Sequence, residues 1–266
     1  MVRYVIKRLL YLIPVVLCVS FLIFALMDLT PGSVVDSMIP NDATPEEIAE
    51  IYAQYDLDKP MVYRYVKYML GFIQGDLGQS DISGEDILSM YMTRLPNTLL
   101  LAVTSLFVAA VLAVPMGICA ARNAGTLKDN MITVATLIGM AMPAFWLGLL
   151  LLFFFSYKMH LFPASGNSGF LSYILPAVCN GLSMMASTAR QTRSAMLDVL
   201  RADFLRTARA KGVPEKRVIW KHALGNAMIP ILTTLGSNLS SALAGSVVIE
   251  SVFAWPGVGH LTSEAI

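Results

Sequence analysis

The chain has 266 residues, 56% hydrophobic and 14% charged, with a mean hydropathy of +0.64 and a formal net charge of +1. Soluble domains carry about 25% charged residues, so this composition excludes an ordinary soluble globule and is too apolar for a disordered chain. Cys18, Cys119 and Cys179 each sit in a different apolar stretch, which excludes a disulfide framework or a metal-ligand spacing, and the near-neutral charge gives no basic field for nucleic acid.

The charges leave five long gaps: Leu9 to Met27, Leu95 to Ala121, Asn130 to Tyr157, Met159 to Ala189 and His222 to Ile249. Each is at least about 19 residues, enough for a helix rising about 1.5 Å per residue to cross about 30 Å of hydrocarbon. The pattern predicts an all-α membrane protein with five spans. The first follows Arg3, Lys7 and Arg8 but leads to Met27-Asp28-Leu29-Thr30-Pro31-Gly32, with no small-residue cleavage site, so an uncleaved anchor over 1–29 is expected.

Residues 30–94 form the next expected unit, a helical loop. Thr44-Pro45-Glu46-Glu47 is a helix start with a threonine cap, a proline in the first turn and a glutamate three residues after the cap. A second helix is predicted from Pro60, with Val62, Tyr65, Val66 and Met69 on one face, broken by Gly71 and Gly75-Asp76-Leu77-Gly78. A third short helix, Gly84 to about Arg94, leads into the second span. These helices pack on the outer ends of the spans or dock an external partner. Residues 95–266 hold the remaining spans, and turn residues Phe162 to Gly169 delay the fourth to about Phe170.

Lysine and arginine set the orientation. Three lie at the N-terminus, two between Arg122 and Asn130, and nine between Arg190 and Lys221, whereas the long first loop has four against eleven acids that begin at Asp36. The N-terminus and the nine-cation segment are therefore expected in the cytoplasm and the acidic loop outside. In that segment Met196, Leu197, Leu200, Phe204 and Ala208 fall at helical spacing, and Gly212 then supplies a stop, two residues before Pro214. From the residues alone three readings stay open: topology with lipid headgroup contact, nucleic-acid binding, and a docking knob for a cytoplasmic subunit.

Polar positions in the last two spans (Ser183, Ser187, Thr188, Thr233, Thr234, Ser237, Asn238, Ser240, Ser241) suit either a solute path or helix packing through small residues. Glu250 ends the fifth gap and is expected at the outer interface or in an aqueous cavity, because a charge at midplane is costly. The sixteen methionines suit adaptable packing better than soft-metal binding. His160, His222 and His260 form no zinc-protease motif, no nucleophile elbow occurs, and no phosphate loop is present, so the chain is not itself an ATPase or a protease. A channel is the alternative from another class.

The string Arg206-Thr207-Ala208-Arg209-Ala210-Lys211-Gly212, followed after nine residues by His222-Ala223-Leu224-Gly225, resembles the coupling motif of binding-protein-dependent ABC importer permeases, in its peptide/nickel branch. Arg206 and Thr207 replace the general motif's Glu and first Ala, while Ala208, Gly212 and Leu224 match. Arg3, Arg8, Ile13 and Pro14, then Leu29 to Gly32, fit the same branch. So do Leu57 to Pro60, Gly75 to Ser80, Arg94 to Thr98, Pro143 to Gly148, and Val252 to Gly259.

The resemblance implies a type I importer fold with a sixth span, of which Gly259 to Ile266 looks like the approach. It implies a second homologous permease subunit, two cytoplasmic ATPases carrying ATP and magnesium, an extracytoplasmic solute-binding protein, and an inner or plasma membrane location. It implies no cofactor on this chain. It assigns Arg206, Thr207, Ala208, Arg209, Lys211, Gly212, Val213, Pro214, Glu215 and Arg217 to ATPase coupling. A path for peptides or nickel-type substrates is then expected along Ser183, Ser187, Thr234, Asn238, Ser241 and Glu250.

Overall fold

In a computed structural model the chain is α-helical, and the structure describes residues 2–30, 39, 43–80 and 83–265. Among the described residues there is no strand, only an isolated antiparallel bridge between Gln79 and Asp86. Pro31 and Gly32, at the end of the string that follows the first span, and Asp36 lie outside the described residues. The chain divides into two compact units, residues 1–90 and 91–266.

In the first unit α1 (Val2–Leu29) is the N-terminal span, mean hydropathy 2.8 over its most apolar window and none of it buried within the chain. Helix α2 (Pro45–Gln54) begins with the capping box that its sequence predicts. The Thr44 N–H donates to Glu47 Oε2 at 2.7 Å, and the Glu47 N–H donates to Thr44 Oγ1 at 3.3 Å. Helix α3 (Met61–Gln74) runs through Gly71 and stops at Gly75, whose φ of +80° is the left-handed turn that glycine permits. Gly71 is needed for another reason: the Asp76 carbonyl lies 2.8 Å from where its Cβ would stand.

Helix α3 packs on α1. Tyr65 Oη lies 2.8 Å from Ser20 Oγ and donates to the Leu17 carbonyl at 3.0 Å, its ring meets Phe21 and Phe24 edge-on, and Arg64 pairs with Asp28 at 2.5 Å. The expected separate helix from Gly84 to Arg94 does not occur. It is the first part of α4 (Ile87–Arg122), which continues through Pro96 and Pro115.

In the second unit the third charge gap is not one straight span. Helices α5 (Leu127–Ala141) and α6 (Ala144–Leu151, continued as a π-helix to Lys158) meet at a bend of 100°. Pro143 has no N–H to continue α5 and holds Met142 extended at φ −73°, ψ 124°, so the helix restarts beyond it. Among the described residues four helices are long and apolar enough to cross a membrane, five if the bent pair is one span.

Helix α7 (Phe170–Leu200) begins where expected and is the most enclosed of the long helices. Glycines set its distance from α4: a Cβ at Gly181 would stand 2.9 Å from the Ser105 carbonyl, and one at Gly117 would stand 2.6 Å from the Ala189 carbonyl. The Arg193 guanidinium forks onto Asp129 at the start of α5, with both bonds at 2.6 Å and the Gly125 N–H donating to Asp129 at 3.0 Å. Short helices α8 (Asp203–Ala210) and α9 (Glu215–Arg217) follow, then a π-helix (Val218–Ala223), α10 (Leu224–Val252) and α11 (Val258–Glu264).

Candidate functional site

The apolar stripe read through Met196, Leu200, Phe204 and Ala208 is not carried by one helix. Helix α7 ends at Leu200, the chain bends through Arg201 and Ala202, and α8 restarts at Asp203. The restart rotates the inward face, so Leu205 is fully buried while Phe204 is 45% exposed. Leu205 joins Met196, Ile118, Val218, Ile219 and Ala223 in one apolar cluster that roots the segment in the helical body.

Gly212 ends α8 in a Schellman motif. At φ +76° it lets its own N–H donate to the Arg209 carbonyl at 2.9 Å and the Val213 N–H donate to the Ala208 carbonyl at 3.2 Å. Ala208 and Val213, the two residues this motif brings together, are half-buried against the same cluster. The fork of Arg209 then closes the bend, with Nε and Nη2 each 3.0 Å from one Glu215 oxygen. Arg206, Thr207, Lys211, Gly212, Pro214 and Arg217 remain exposed, as do Arg209 and Glu215. The segment is thus a short helical hairpin with a fixed bend, a buried root and a charged outer face. Phe204 and Trp220, the latter 47% exposed, add aromatic surface that the motif string did not point to.

The polar positions of α7 and α10 separate into two groups. Ser183, Ser187, Thr188, Thr234 and Asn238 lie inside or at the edge of the packing. Asn238 Nδ2 donates to Thr188 Oγ1 at 2.8 Å, and Ser187 Oγ stands 3.4 Å from Asn238 Oδ1. Ser183 and Thr234 return their hydroxyls to carbonyls four residues back in their own helices. By contrast Thr233, Ser237, Ser240 and Ser241 are exposed and recur at i, i+4, i+7 and i+8 along one face of α10.

Glu250 does not line an aqueous cavity. It is 0% exposed, and its carboxylate joins three elements. Oε1 accepts the Thr98 hydroxyl of α4 at 2.8 Å, and Oε2 accepts the His260 N–H of α11 at 3.0 Å. The Thr98 oxygen in turn accepts the Val258 N–H at 2.9 Å, which commits its proton to Glu250. Together Thr98 and Glu250 take up two of the N–H groups that the first turn of α11 leaves without helical partners.

Gly257 and Gly259 pack directly on the Glu250 carboxylate, where any Cβ would collide with it. Nearby, Asn97 Nδ2 donates to the Pro256 carbonyl at 2.8 Å, and Trp255 stacks edge-on to Tyr173 at 4.5 Å. The strings Arg94 to Thr98 and Val252 to Gly259 are therefore two halves of one structure. Thr98 carries no sequence signal by itself. What signals it is its place beside Pro96 and Asn97 in the first string, and the Pro256, Gly257 and Gly259 break that ends α10 in the second.

Residues 113–266 match the model of the binding-protein-dependent transport system inner membrane component, and residues 1–102 match that of the N-terminal part of such membrane components. The chain belongs to this family. Over 98% of its length it is 38% identical to the oligopeptide transport system permease protein AppB of Bacillus subtilis, covering 86% of that protein. It is equally identical, over 100% of its length, to the glutathione transport system permease protein GsiC of Escherichia coli K12, covering 87% of it. The chain is an ABC importer permease of the peptide/nickel branch, a multi-pass membrane protein that forms part of the translocation path. It works with other subunits of a transport system.

Proposed function

We propose that this permease imports peptides and is driven through the hairpin of residues 203–217 by a cytoplasmic ATPase. The observation that carries the reading is the hairpin's construction. A segment that only fixed orientation needs charge, whereas this one has a buried root at Leu205, a glycine-shaped bend and an arginine fork across it. A body of that kind transmits displacement to α7 and α10, which flank it, without dissipating the motion in its own bending. Arg206, Thr207, Ala208, Arg209, Lys211, Gly212, Val213, Pro214, Glu215 and Arg217 are assigned to this role. Arg209 and Glu215 hold the shape, and Arg206, Lys211 and Arg217 face the partner.

In this reading the N-terminus and hairpin lie in the cytoplasm, the membrane is the inner or plasma membrane, and a second permease subunit completes the path. Two ATPase subunits bind ATP and magnesium and hydrolyse the nucleotide. An external solute-binding protein delivers the substrate. Peptide is the favoured cargo because the relatives named above are oligopeptide and glutathione permeases. The hydroxyl stripe of Thr233, Ser237, Ser240 and Ser241 is the favoured lining, since hydroxyls both donate to and accept from a peptide backbone. Ser183, Ser187, Thr234, Asn238 and Glu250 then support that lining from behind.

The test is co-purification of the nucleotide-binding subunit from native membranes with wild type and with Gly212→Pro. Proline holds φ near −65°, which the bend at Gly212 does not tolerate. Loss of the ATPase from a variant that still inserts supports the proposal. Retention of the ATPase by the variant, or its absence from every preparation, overturns the proposal, and the second result leaves an ATP-independent channel as the leading reading.

A further inference from the structure

The loop helix α3 poses a problem of burial. On a helical wheel Tyr65 and Tyr68 turn towards α1, where Tyr65 reaches Ser20 and Leu17 and Tyr68 meets Phe24. Next to them Val62, Val66, Leu70 and Ile73 recur at i, i+4, i+8 and i+11, a continuous stripe. They are 59%, 49%, 54% and 75% exposed. Lys67 and Gln74 flank the stripe on its polar edge, with Lys67 paired to Asp56, and Arg64 and Gly71 lie on the side opposite it. Helix α3 is therefore amphipathic with only part of its apolar face covered.

Its depth beside α1 says what covers the rest. Arg8 and Asp28 bracket the uncharged run of α1, so Asp28 marks one boundary of the hydrocarbon. At about 1.5 Å per residue, Phe24 lies about 6 Å, Phe21 about 10 Å and Ser20 about 12 Å inside that boundary. All three are partners of α3. Arg64 extends the other way, to Asp28. An amphipathic helix in the bilayer interface places its apolar face about 5–10 Å into the headgroup and acyl boundary, with basic side chains reaching back to the surface. Phe24 and Phe21 fall in or near this range, the long Tyr65 side chain reaches past it to Ser20 and to the Leu17 carbonyl, about 16 Å inside, and Leu22, Ile23 and Leu26 of the same stretch of α1 are exposed like the stripe.

We infer that α3 is an interfacial helix lying in the leaflet at the Asp28 end of α1, with Val62, Val66, Leu70 and Ile73 in contact with lipid acyl chains; that this is the outer leaflet rests on the orientation proposed above. The occupant of the uncovered stripe is the bilayer, not a soluble partner. In such a place the tyrosines sit with apolar rings in the hydrocarbon and hydroxyls paired, as Tyr65 does with Ser20 and the Leu17 carbonyl. The long first loop is then anchored in the membrane at a second point beyond α1. This inference does not depend on the coupling proposal.

The experiment uses the full chain in phosphatidylcholine/phosphatidylglycerol vesicles, with Cys18, Cys119 and Cys179 replaced by alanine. Nitroxide labels are placed singly through Val62→Cys, Val66→Cys and Ile73→Cys, with Lys67→Cys and Gln74→Cys as the polar flank. Collision with dissolved oxygen is compared with collision with a water-soluble nickel complex. The expected result is a several-fold oxygen preference at 62, 66 and 73, and a clearly smaller one at 67 and 74. A nickel preference at 62, 66 and 73 would place the stripe in water and overturn the inference. Suppression of both collisions there would place it against protein, an external binding protein or a second subunit, and overturn it equally.

Discussion

At Glu250 a carboxylate sits where a bilayer-embedded chain tolerates a charge only if it is hydrogen-bonded and enclosed. The enclosure is supplied by residues with no charge of their own: the Thr98 hydroxyl, the His260 N–H and two glycines. Glu250→Ala removes the acceptor for both donors and is expected to lower stability by about 1–3 kcal/mol, the usual cost of stranding buried polar groups. Gly257→Ala pushes a methyl into the same carboxylate and is expected to cost about 1–3 kcal/mol by overpacking. Thermal unfolding of the detergent-solubilised protein reads both. Combined, the two changes should cost less than the sum of the singles, because alanine at 250 vacates the space that the new methyl needs. Strict additivity would show that the two residues do not share the contact.

At the scale of single elements, one cap and two glycine stops explain three boundaries. Helix α2 starts at Thr44–Glu47, and α3 and α8 end at Gly75 and Gly212, each where local chemistry requires it. The cap of α2 also titrates. Hydrogen bonds from the Thr44 backbone and hydroxyl hold the Glu47 carboxyl below its ordinary value. A group whose folded pKa is lowered adds stability above its unfolded pKa and loses it as pH falls through the folded value. Amide protection in the first turn of α2 is therefore expected to be full near neutral pH and to decline only below the ordinary glutamate range. Glu47→Gln should flatten that decline. An unchanged pH profile in this variant would exclude the cap as its origin.

Where elements meet, prolines and ion pairs override the pattern along the chain. A charge-free gap of 28 residues looks like one span, yet Pro143 turns it through 100°. The start of α5 is then tied to α7 by Asp129, 2% exposed, and Arg193. Removing one member of a buried pair typically costs about 3–5 kcal/mol. The Arg193 side chain is 33% exposed, so Asp129→Ala is expected to cost about 1–3 kcal/mol after solvent screening. The double variant Asp129→Ala/Arg193→Leu should recover part of that loss. Thermal unfolding that ranks the double variant below Asp129→Ala would show the pair adds nothing beyond its packing.

The sequence by itself determined the all-helical membrane class, the start of α7 at Phe170, the cap at Thr44 and the stop at Gly212, because each depends on hydrophobicity or on chemistry within a few residues. The family resemblance was legible for the same reason, in strings read in order. Only the tertiary structure decided that Leu205 and not Phe204 faces inward, since the break at Arg201–Ala202 rotates the helix by an angle that no periodicity contains. It alone brought Thr98 to Glu250, 152 positions apart. It alone divided the hydroxyls of α7 and α10 into a packed group and an exposed stripe, since serine and threonine suit both environments and only the neighbouring helix determines which one each occupies.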